Sequence, residues 1–324
     1  MGNAQALLAI DNLSVEFRTR TGLVRALDRV SFDVSAGEII GVVGESGSGK
    51  SVTAYTIAGI LDPSAHITSG RIDFQSRDLL KLGGRARRQI CGRQLSVIFQ
   101  HPRIALNQIR PVGLQIEDVV RAHTSLTRAE AQRRAFDMLE AVKIADPQHC
   151  MQLYPFQLSG GMCQRIMIAM ALSCNPRLLL ADEPTTGLDV TTQAVIMDLI
   201  QELGKKLGMT AILITHDLAL AAERCDRIVV MHAGQVMEIA PTAELFRNPM
   251  HPYTRRLGAA TPGPVSDISE LDIVPGSVPD LRRQNLPPCR YAERCERRIK
   301  ECDIGPVPRV AVGRDHFVAC KRAL

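Results

Sequence analysis

A glycine-rich stretch near the start of the chain has the residue types that bind phosphate. The run Gly44-Glu45-Ser46-Gly47-Ser48-Gly49-Lys50-Ser51 follows an apolar segment, Glu38 to Val43, that has the character of a buried strand. Glycines let backbone N–H groups approach phosphate oxygens, and the positive end of a following helix adds to the attraction. In this pattern Lys50 reaches the β- and γ-phosphates, and the hydroxyl of Ser51 binds Mg²⁺. The stretch, extended to Val52, is predicted to cradle a nucleoside triphosphate.

Two adjacent carboxylates stand at the end of another apolar run. Leu178 to Ala181 reads as a buried strand, and Asp182 and Glu183 follow it directly. Parallel strands deliver polar side chains to the carboxyl edge of a sheet, where ligands of open α/β folds bind. Two like charges this close are expected to perform different tasks. A helix opening at Leu158-Ser159-Gly160-Gly161 precedes them and is predicted to form a second anion-binding helix terminus.

In this combination the chain resembles the ATP-binding subunit of an ABC transporter, along nearly all of its 324 residues. Met162 after the two glycines, His251-Pro252-Tyr253-Thr254 and a four-cysteine tail are similar to the dipeptide/oligopeptide (peptide/nickel) importer family. The resemblance implies an α/β fold, a P-loop ABC ATPase with a RecA-like parallel sheet core. An antiparallel β subdomain, an α-helical subdomain and a Cys-rich C-terminal extension are expected to accompany it.

The resemblance also assigns site residues. Asp182 and Gln100 are expected to bind Mg²⁺ together with Ser51, and Glu183 to orient and deprotonate the attacking water. His216, after the predicted strand Ala211 to Thr215, is expected to contact the γ-phosphate. Phe17 is similar to the aromatic residue that stacks on adenine, although an ordinary inward-facing strand residue is nearly as good an interpretation. His123, His149 and His232 have no such context and are interpreted as surface or core residues.

The helix that opens at Ser159 corresponds to the signature helix of this family. One chain cannot fold this helix onto its own phosphate loop, so the resemblance implies a head-to-tail dimer. Ser159, Gly160 and Gly161 are expected to close over the ATP of a second ABC ATPase subunit, a paralogue or a copy, with Asp189 lining the seam. Further expected partners are two transmembrane permease subunits and an extracytoplasmic solute-binding protein. The implied activity is ATP hydrolysis that powers import of di- or oligopeptides, nickel or another small solute, at the cytoplasmic face of the inner membrane.

Organisation along the chain follows composition and periodicity. The segments Leu7 to Phe17 and Ala26 to Val34 alternate as antiparallel strands do, and Ser51 to Leu61 is predicted to be helical. Thr127 is predicted to cap a helix within a helical subdomain at about 104–172. Pro and Gly become frequent after Asn248-Pro249. The predicted domains are therefore 1–248, the nucleotide-binding domain, and 249–324, the C-terminal extension.

Nine cysteines in a chain with no evident secretory signal argue against a disulfide framework. Four of them follow the spacing C-x5-C-x6-C-x17-C, and these are Cys289, Cys295, Cys302 and Cys320. Four thiolates suit an iron–sulfur cluster or zinc, and the wide spacing is unlike common zinc knuckles. The family resemblance favours a [4Fe–4S] cluster; zinc and plain reduced thiols remain alternatives. The other five cysteines are interpreted as small core residues.

Composition excludes some classes. The hydrophobic fraction of 45% is ordinary, and we see no apolar run of about 18 residues that could span a membrane. A net charge of +5 with 4% aromatic residues does not favour a nucleic-acid surface, even though basic residues cluster near the C-terminus. A rival interpretation is a soluble ABC ATPase of DNA repair or translation. The segment between Lys50 and Ser159 lacks the sustained heptads of the repair class, and the chain has one cassette, whereas translation types usually have two.

Overall fold

The computed structural model describes residues 6–261 and 274–323. It divides into two compact units: unit 1 contains the residues up to Lys81 and from Leu213 onward, and unit 2 contains Leu82–Ile212. The described strands are β1 (Ala6–Thr19), β2 (Gly22–Ser35), β3 (Ile39–Val43), β4 (Ala65–Phe74), β5 (Arg77–Asp78), β6 (Leu95–Ile98), β7 (Leu178–Asp182), β8 (Thr210–Thr215), β9 (Arg227–His232), β10 (Gln235–Pro241), β11 (Arg309–Gly313) and β12 (His316–Ala319).

The described α-helices lie between these strands, and several of them follow one another without a strand between them. They are α1 (Lys50–Ala58), α2 (Gly84–Ile90), α3 (Pro102–Ala105), α4 (Val112–His123), α5 (Arg128–Ala141), α6 (Pro147–Cys150), α7 (Gly160–Leu172), α8 (Val190–Leu207), α9 (Leu218–Arg224), α10 (Thr242–Arg247) and α11 (Pro252–Ala259). None of the described helices is both long enough and apolar enough to cross a bilayer.

The first sheet of unit 1 has the order β2-β1-β4-β5. Strand β1 pairs antiparallel with β2 and with β4, and Ile10 faces Phe32 and Ile72 in the two registers. The alternating apolar side chains of β1, such as Leu8 and Val15, are fully buried. The predicted antiparallel strands are confirmed, and they extend beyond the predicted ends.

The second sheet contributes the strands β11-β12-β10-β9-β3 to unit 1, in that order. Strand β3 runs parallel to β9, with Val42 opposite Val229, whereas β10, β11 and β12 continue antiparallel. Because β3 and the central residues of β9, Ile228–Met231, are apolar and largely buried, the glycine-rich loop starts from a fixed strand end.

Unit 2 contains a parallel pair, β6 with β7, and most of the helices. Leu95 lies opposite Leu178 in this pair. Helix α5 begins with a capping box, since the Thr127 hydroxyl accepts from the Glu130 N–H and the Glu130 carboxylate accepts from the Thr127 N–H. The predicted cap at Thr127 is confirmed.

One local prediction was wrong. Helix α1 ends at Ala58 rather than Leu61, because Gly59 adopts a left-handed conformation (φ 73°) and its N–H bonds to the carbonyls of Tyr55 and Thr56. Helical structure also continues past Pro249, where α11 forms. The proposed boundary near Pro249 falls between α10 and α11, within unit 1. The division into domains at that point stays a prediction.

Candidate active site

The glycine-rich loop leaves β3 and enters α1 with three glycines at positive φ, namely Gly44, Gly47 and Gly49. Gly44 has φ 151°, and a Cβ there would lie 2.1 Å from the Met231 carbonyl oxygen. A side chain at Gly44 would therefore push the loop away from β9. These constraints explain why the loop is glycine-rich at the positions where its backbone must turn.

Lys50, the first residue of α1, folds its side chain back over the loop. Its Nζ donates to the carbonyl oxygens of Gly44 (2.8 Å) and Glu45 (2.9 Å), and its side chain is buried. The ammonium group is thus held beside the loop backbone at the N-terminal end of a helix, where a phosphate is attracted. This arrangement is that of a phosphate-binding loop.

The acidic pair lies in unit 2 at the end of β7. Asp182 is the last residue of the strand and is buried. The Glu183 Oε2 atom accepts hydrogen bonds from Gln100 Nε2 and Thr186 Oγ1, each at 2.8 Å. The structure thus brings together Gln100 and Glu183, two of the predicted catalytic residues. It adds Thr186, whose side-chain role the sequence did not indicate.

The signature helix α7 begins at Gly160, and Ser159 caps it by accepting from the Met162 N–H. Ser159 is exposed, and a Cβ added at Gly160 would meet none of the described atoms within 4 Å. Packing against the described residues therefore does not require a glycine here. An exposed helix N-terminus without a side chain suits the close approach of an anion.

Asp189 caps α8, with its carboxylate accepting from the N–H (3.0 Å) and the hydroxyl (2.7 Å) of Thr192. The hydroxyl bond and then the backbone bond lower the pKa of Asp189. His216 directly follows β8 and is exposed, and Phe17 is half-buried in β1. Phe17, the phosphate loop and His216 belong to unit 1, and the other predicted ATP-site residues belong to unit 2. Their assembly into one site stays a prediction.

The structure also identifies contacts around the phosphate loop that the sequence did not indicate. Arg294 forms a bidentate ion pair with Glu45, at 2.6 and 2.9 Å, and the Tyr253 hydroxyl accepts from the Glu45 N–H at 3.1 Å. His232, interpreted from sequence as a surface or core residue, is fully buried with its Nδ1 3.4 Å from Glu45 Oε2. Each of these contacts joins residues far apart in the chain.

The four tail cysteines, Cys289, Cys295, Cys302 and Cys320, line one cavity with His251 and Tyr291. Burial raises the pKa of the Cys289 thiol to about 12. The expected cluster is not present as a ready ligand set, because no three His, Cys, Asp or Glu side chains among the described residues are grouped closely enough to hold a metal ion. The cavity gathers the thiols without arranging them as ligands.

Together, the phosphate loop, the acidic strand end and the signature helix define a nucleotide-hydrolysing P-loop enzyme. A solved structure described as the dimeric post-hydrolysis state of the ATP-binding cassette MJ0796, bound to ADP and Pi, aligns with a TM-score of 0.66 at 26% identity. The alignment covers 72% of this chain and 98% of that one. The fold is thus that of an ATP-binding cassette.

Sequence comparison narrows the assignment. The family model described as ABC transporter matches residues 27–186, and that described as the oligopeptide/dipeptide transporter C-terminal region matches 237–302. The dipeptide transport ATP-binding protein DppD of Escherichia coli is 45% identical over 296 residues, 90% of each chain. DppD of Bacillus subtilis is 44% identical over 92% of this chain and 89% of its own. The chain belongs to the ATP-binding subunits of ABC transporters with this C-terminal region, and it is an ATPase.

Proposed function

We propose that this chain powers the import of di- or oligopeptides. The observation that carries the proposal is that a match to the ABC transporter family model and a match to the oligopeptide/dipeptide C-terminal region occur on one chain. Relatives named for dipeptide transport cover about nine-tenths of it. The proposed location is the cytoplasmic face of the inner membrane, in contact with two permease subunits that receive peptide from an extracytoplasmic binding protein.

Within the proposed mechanism the phosphate loop binds the triphosphate, and Lys50 exchanges its loop carbonyl partners for phosphate oxygens. Mg²⁺, held by Ser51, Gln100 and Asp182, would neutralise charge on the β- and γ-phosphates. Glu183 accepts the proton of the attacking water, while the Gln100 amide and the Thr186 hydroxyl fix its carboxylate.

Two further residues complete the proposed ATP site. His216 contacts the γ-phosphate, and Phe17 stacks on adenine. The positions of the two residues support these roles, because His216 is exposed directly after β8 and the Phe17 side chain is only half-buried.

The proposed dimer explains the exposed end of α7. Ser159, Gly160 and Gly161 of one subunit close over the ATP of a second ATPase subunit, with Asp189 at the seam. Removal of the γ-phosphate then opens the dimer, and the permeases follow this motion between two access states. The exposed Ser159 cap supports this role, and so does the finding that no atom of the described residues lies within 4 Å of a Cβ placed at Gly160.

Uptake of labelled dipeptide tests the proposal. Cells that lack the gene are complemented with the wild type or with Glu183→Gln, and accumulation of dipeptide and of ⁶³Ni²⁺ is compared. The proposal predicts dipeptide uptake with the wild type and a loss of about 100-fold or more with the variant, because a positioned general base contributes roughly 10²–10⁴-fold. Uptake of nickel alone would assign a different cargo, and uptake unaffected by the substitution would refute the proposed role of this ATPase.

We also propose that Cys289, Cys295, Cys302 and Cys320 hold a [4Fe–4S] cluster. The four cysteines line a common cavity, which supports the proposal. Because the described side chains are not grouped closely enough to hold a metal ion, binding of the cluster requires the four thiols to move together and lose their protons. The visible spectrum of anaerobically purified protein tests this. Broad absorbance near about 400 nm, lost in Cys302→Ser, is expected for thiolate-bound iron, and a colourless protein with stoichiometric zinc or no metal would contradict it.

A further inference from the structure

Residues that follow the cassette motifs in the chain contact the phosphate loop and hold it in place. Glu45, the second residue of the loop, has both its amide and its carboxylate engaged by unit 1 residues beyond position 248. Its N–H donates to the Tyr253 hydroxyl at 3.1 Å. Its carboxylate receives both terminal nitrogens of Arg294, at 2.6 and 2.9 Å. These contacts fix the side chain and the backbone of the same residue.

Arg294 is itself held in a single orientation. Its side chain is only 3% exposed, and its Nε donates to the Pro275 carbonyl at 2.7 Å. The planar guanidinium therefore presents a rigid fork to the Glu45 carboxylate, which a lysine could not reproduce. Burial by itself would raise the pKa of Glu45, but His232 and Arg294 lower that pKa to about 2. Glu45 is thus an anion at neutral pH.

The Tyr253 hydroxyl is positioned by a packed aromatic layer formed by His232, Tyr253 and Tyr291. The ring centroid of Tyr253 lies 4.6 Å from the ring centroid of His232 and 5.2 Å from that of Tyr291. All three side chains are at most 1% exposed. Because close packing leaves such rings little freedom, the hydroxyl is a fixed acceptor for the loop.

The contact reaches the group that binds phosphate. The peptide unit between Gly44 and Glu45 donates its N–H to Tyr253, while its carbonyl oxygen accepts from Lys50 Nζ at 2.8 Å. The next carbonyl, that of Glu45, also accepts from Lys50 at 2.9 Å. Tyr253 and Lys50 therefore bond to the same peptide unit, and Arg294 holds the side chain of the residue that follows it. A shift of Glu45 consequently moves the lysine.

We propose that Tyr253 and Arg294 are positioning residues for ATP binding, which set the phosphate loop and Lys50 through Glu45. The inference rests on the assignment of ATP binding to this loop. It gives the segment after residue 248 a direct role at the nucleotide site. A change in the packing of that segment is then transmitted to ATP affinity without any change in the residues that touch the nucleotide.

Arg290 offers a matched control. It is another buried arginine of the same segment, 3% exposed, and it donates to the carbonyls of Ala233 and Arg25, which lie outside the loop. Arg290→Lys therefore weakens the packing of the segment after residue 248. Arg294→Lys weakens that packing and also removes the bidentate ion pair with Glu45. Tyr253→Phe removes only the hydroxyl and keeps the aromatic layer.

The experiment compares the Kd for MgATP, KM, kcat and Tm in the full chain for the wild type and these three variants. We expect Arg294→Lys and Tyr253→Phe to raise Kd and KM about tenfold with kcat changed less than twofold, a loss comparable to one hydrogen bond to the loop. Arg290→Lys should lower Tm but leave Kd within twofold. Adding Glu45→Gln to Arg294→Lys should raise Kd no further.

Two results would overturn the inference. The first is an unchanged Kd for MgATP in Tyr253→Phe and Arg294→Lys. The second is a Kd that rises as much in Arg290→Lys as in Arg294→Lys when the two variants lose the same amount of Tm. Either would make these residues structural only. Absence of MgATP binding in the wild type would instead refute the assignment of the loop, so the two failures are distinguishable.

Discussion

Glu183 has a backbone conformation that few non-glycine residues adopt, with φ 45°. Such strain persists only where surrounding contacts enforce it, and it is frequent at active sites. Here the Gln100 amide and the Thr186 hydroxyl both donate to the same carboxylate oxygen of Glu183. The arrangement holds the carboxylate in one orientation, which suits its proposed role as a general base.

Removal of the hydroxyl from Thr186 should therefore impair the chemical step. We expect Thr186→Val to lower kcat about tenfold or more, because a hydrogen bond to a charged group is worth roughly 1.5–3 kcal/mol. The Kd for MgATP should stay within about twofold, since in the proposed mechanism Glu183 acts on the attacking water and does not bind the nucleotide. Steady-state hydrolysis with equilibrium nucleotide binding checks both, and an unchanged kcat would show that Thr186 does not orient Glu183.

Glu45 should contribute stability that depends on pH. Its pKa is about 2 in the folded protein against a usual value of 4.5, so the unfolded chain binds more protons between these values. The contribution is complete above about pH 5 and is lost as the pH falls toward 2. Urea unfolding of the wild type and Glu45→Gln should show a stability difference that is equal at pH 7 and 5.5 and smaller at about pH 4. A difference that widens on acidification would contradict the assignment.

At the scale of elements, the loop depends on the strand beside it. Strand β9 runs parallel to β3, and its Met231 carbonyl occupies the space where a side chain at Gly44 would lie. The two strands and the loop therefore form one packed unit, in which the backbone of β9 limits where the loop can turn. A similar approach occurs at Gly49, where a Cβ would lie 2.7 Å from Leu27 Cδ2.

A pair of glycine substitutions separates close packing from backbone strain. Gly44→Ala adds a Cβ that cannot be accommodated, whereas Gly47→Ala, also at positive φ (77°), meets none of the described atoms within 4 Å. We expect a loss of about 1–2 kcal/mol for Gly47→Ala, typical of backbone strain, and a clearly larger loss for Gly44→Ala. Chemical unfolding of both variants measures this. Equal losses would show that the contact with β9 does not limit the loop.

At the scale of the whole molecule, the predicted ATP-site residues divide between the two units. The phosphate loop, its supporting residues Tyr253 and Arg294, and His216 belong to unit 1. Gln100, Glu183 and the signature helix belong to unit 2. The exposed end of α7 is the feature that argues for a second subunit, because packing within the described chain does not account for its glycines.

Local features of this fold were predictable from sequence, and distant contacts were not. The phosphate loop, the helix opening near Ser159, the Thr127 cap and the antiparallel strands follow from short patterns that specify local geometry. The ion pair of Arg294 with Glu45 joins residues 249 positions apart, and only folding brings them together. The motif at His251 was visible, but its packing against the loop was not. The early end of α1 at Ala58 was missed because its stop signal, Gly59, stands within an apolar run.

The molar mass of the dimer on which the proposed function depends can be measured in solution. Glu183→Gln protein with excess MgATP, alone and mixed with its cognate ATPase subunit, is measured by multi-angle light scattering against the same protein without nucleotide. We predict a mass that doubles only with ATP, and a return to the monomer when Ser159→Phe is added to close the signature end of α7. A monomer under every condition, or a dimer that is indifferent to ATP and to Ser159→Phe, would contradict the proposed closure of two cassettes over ATP.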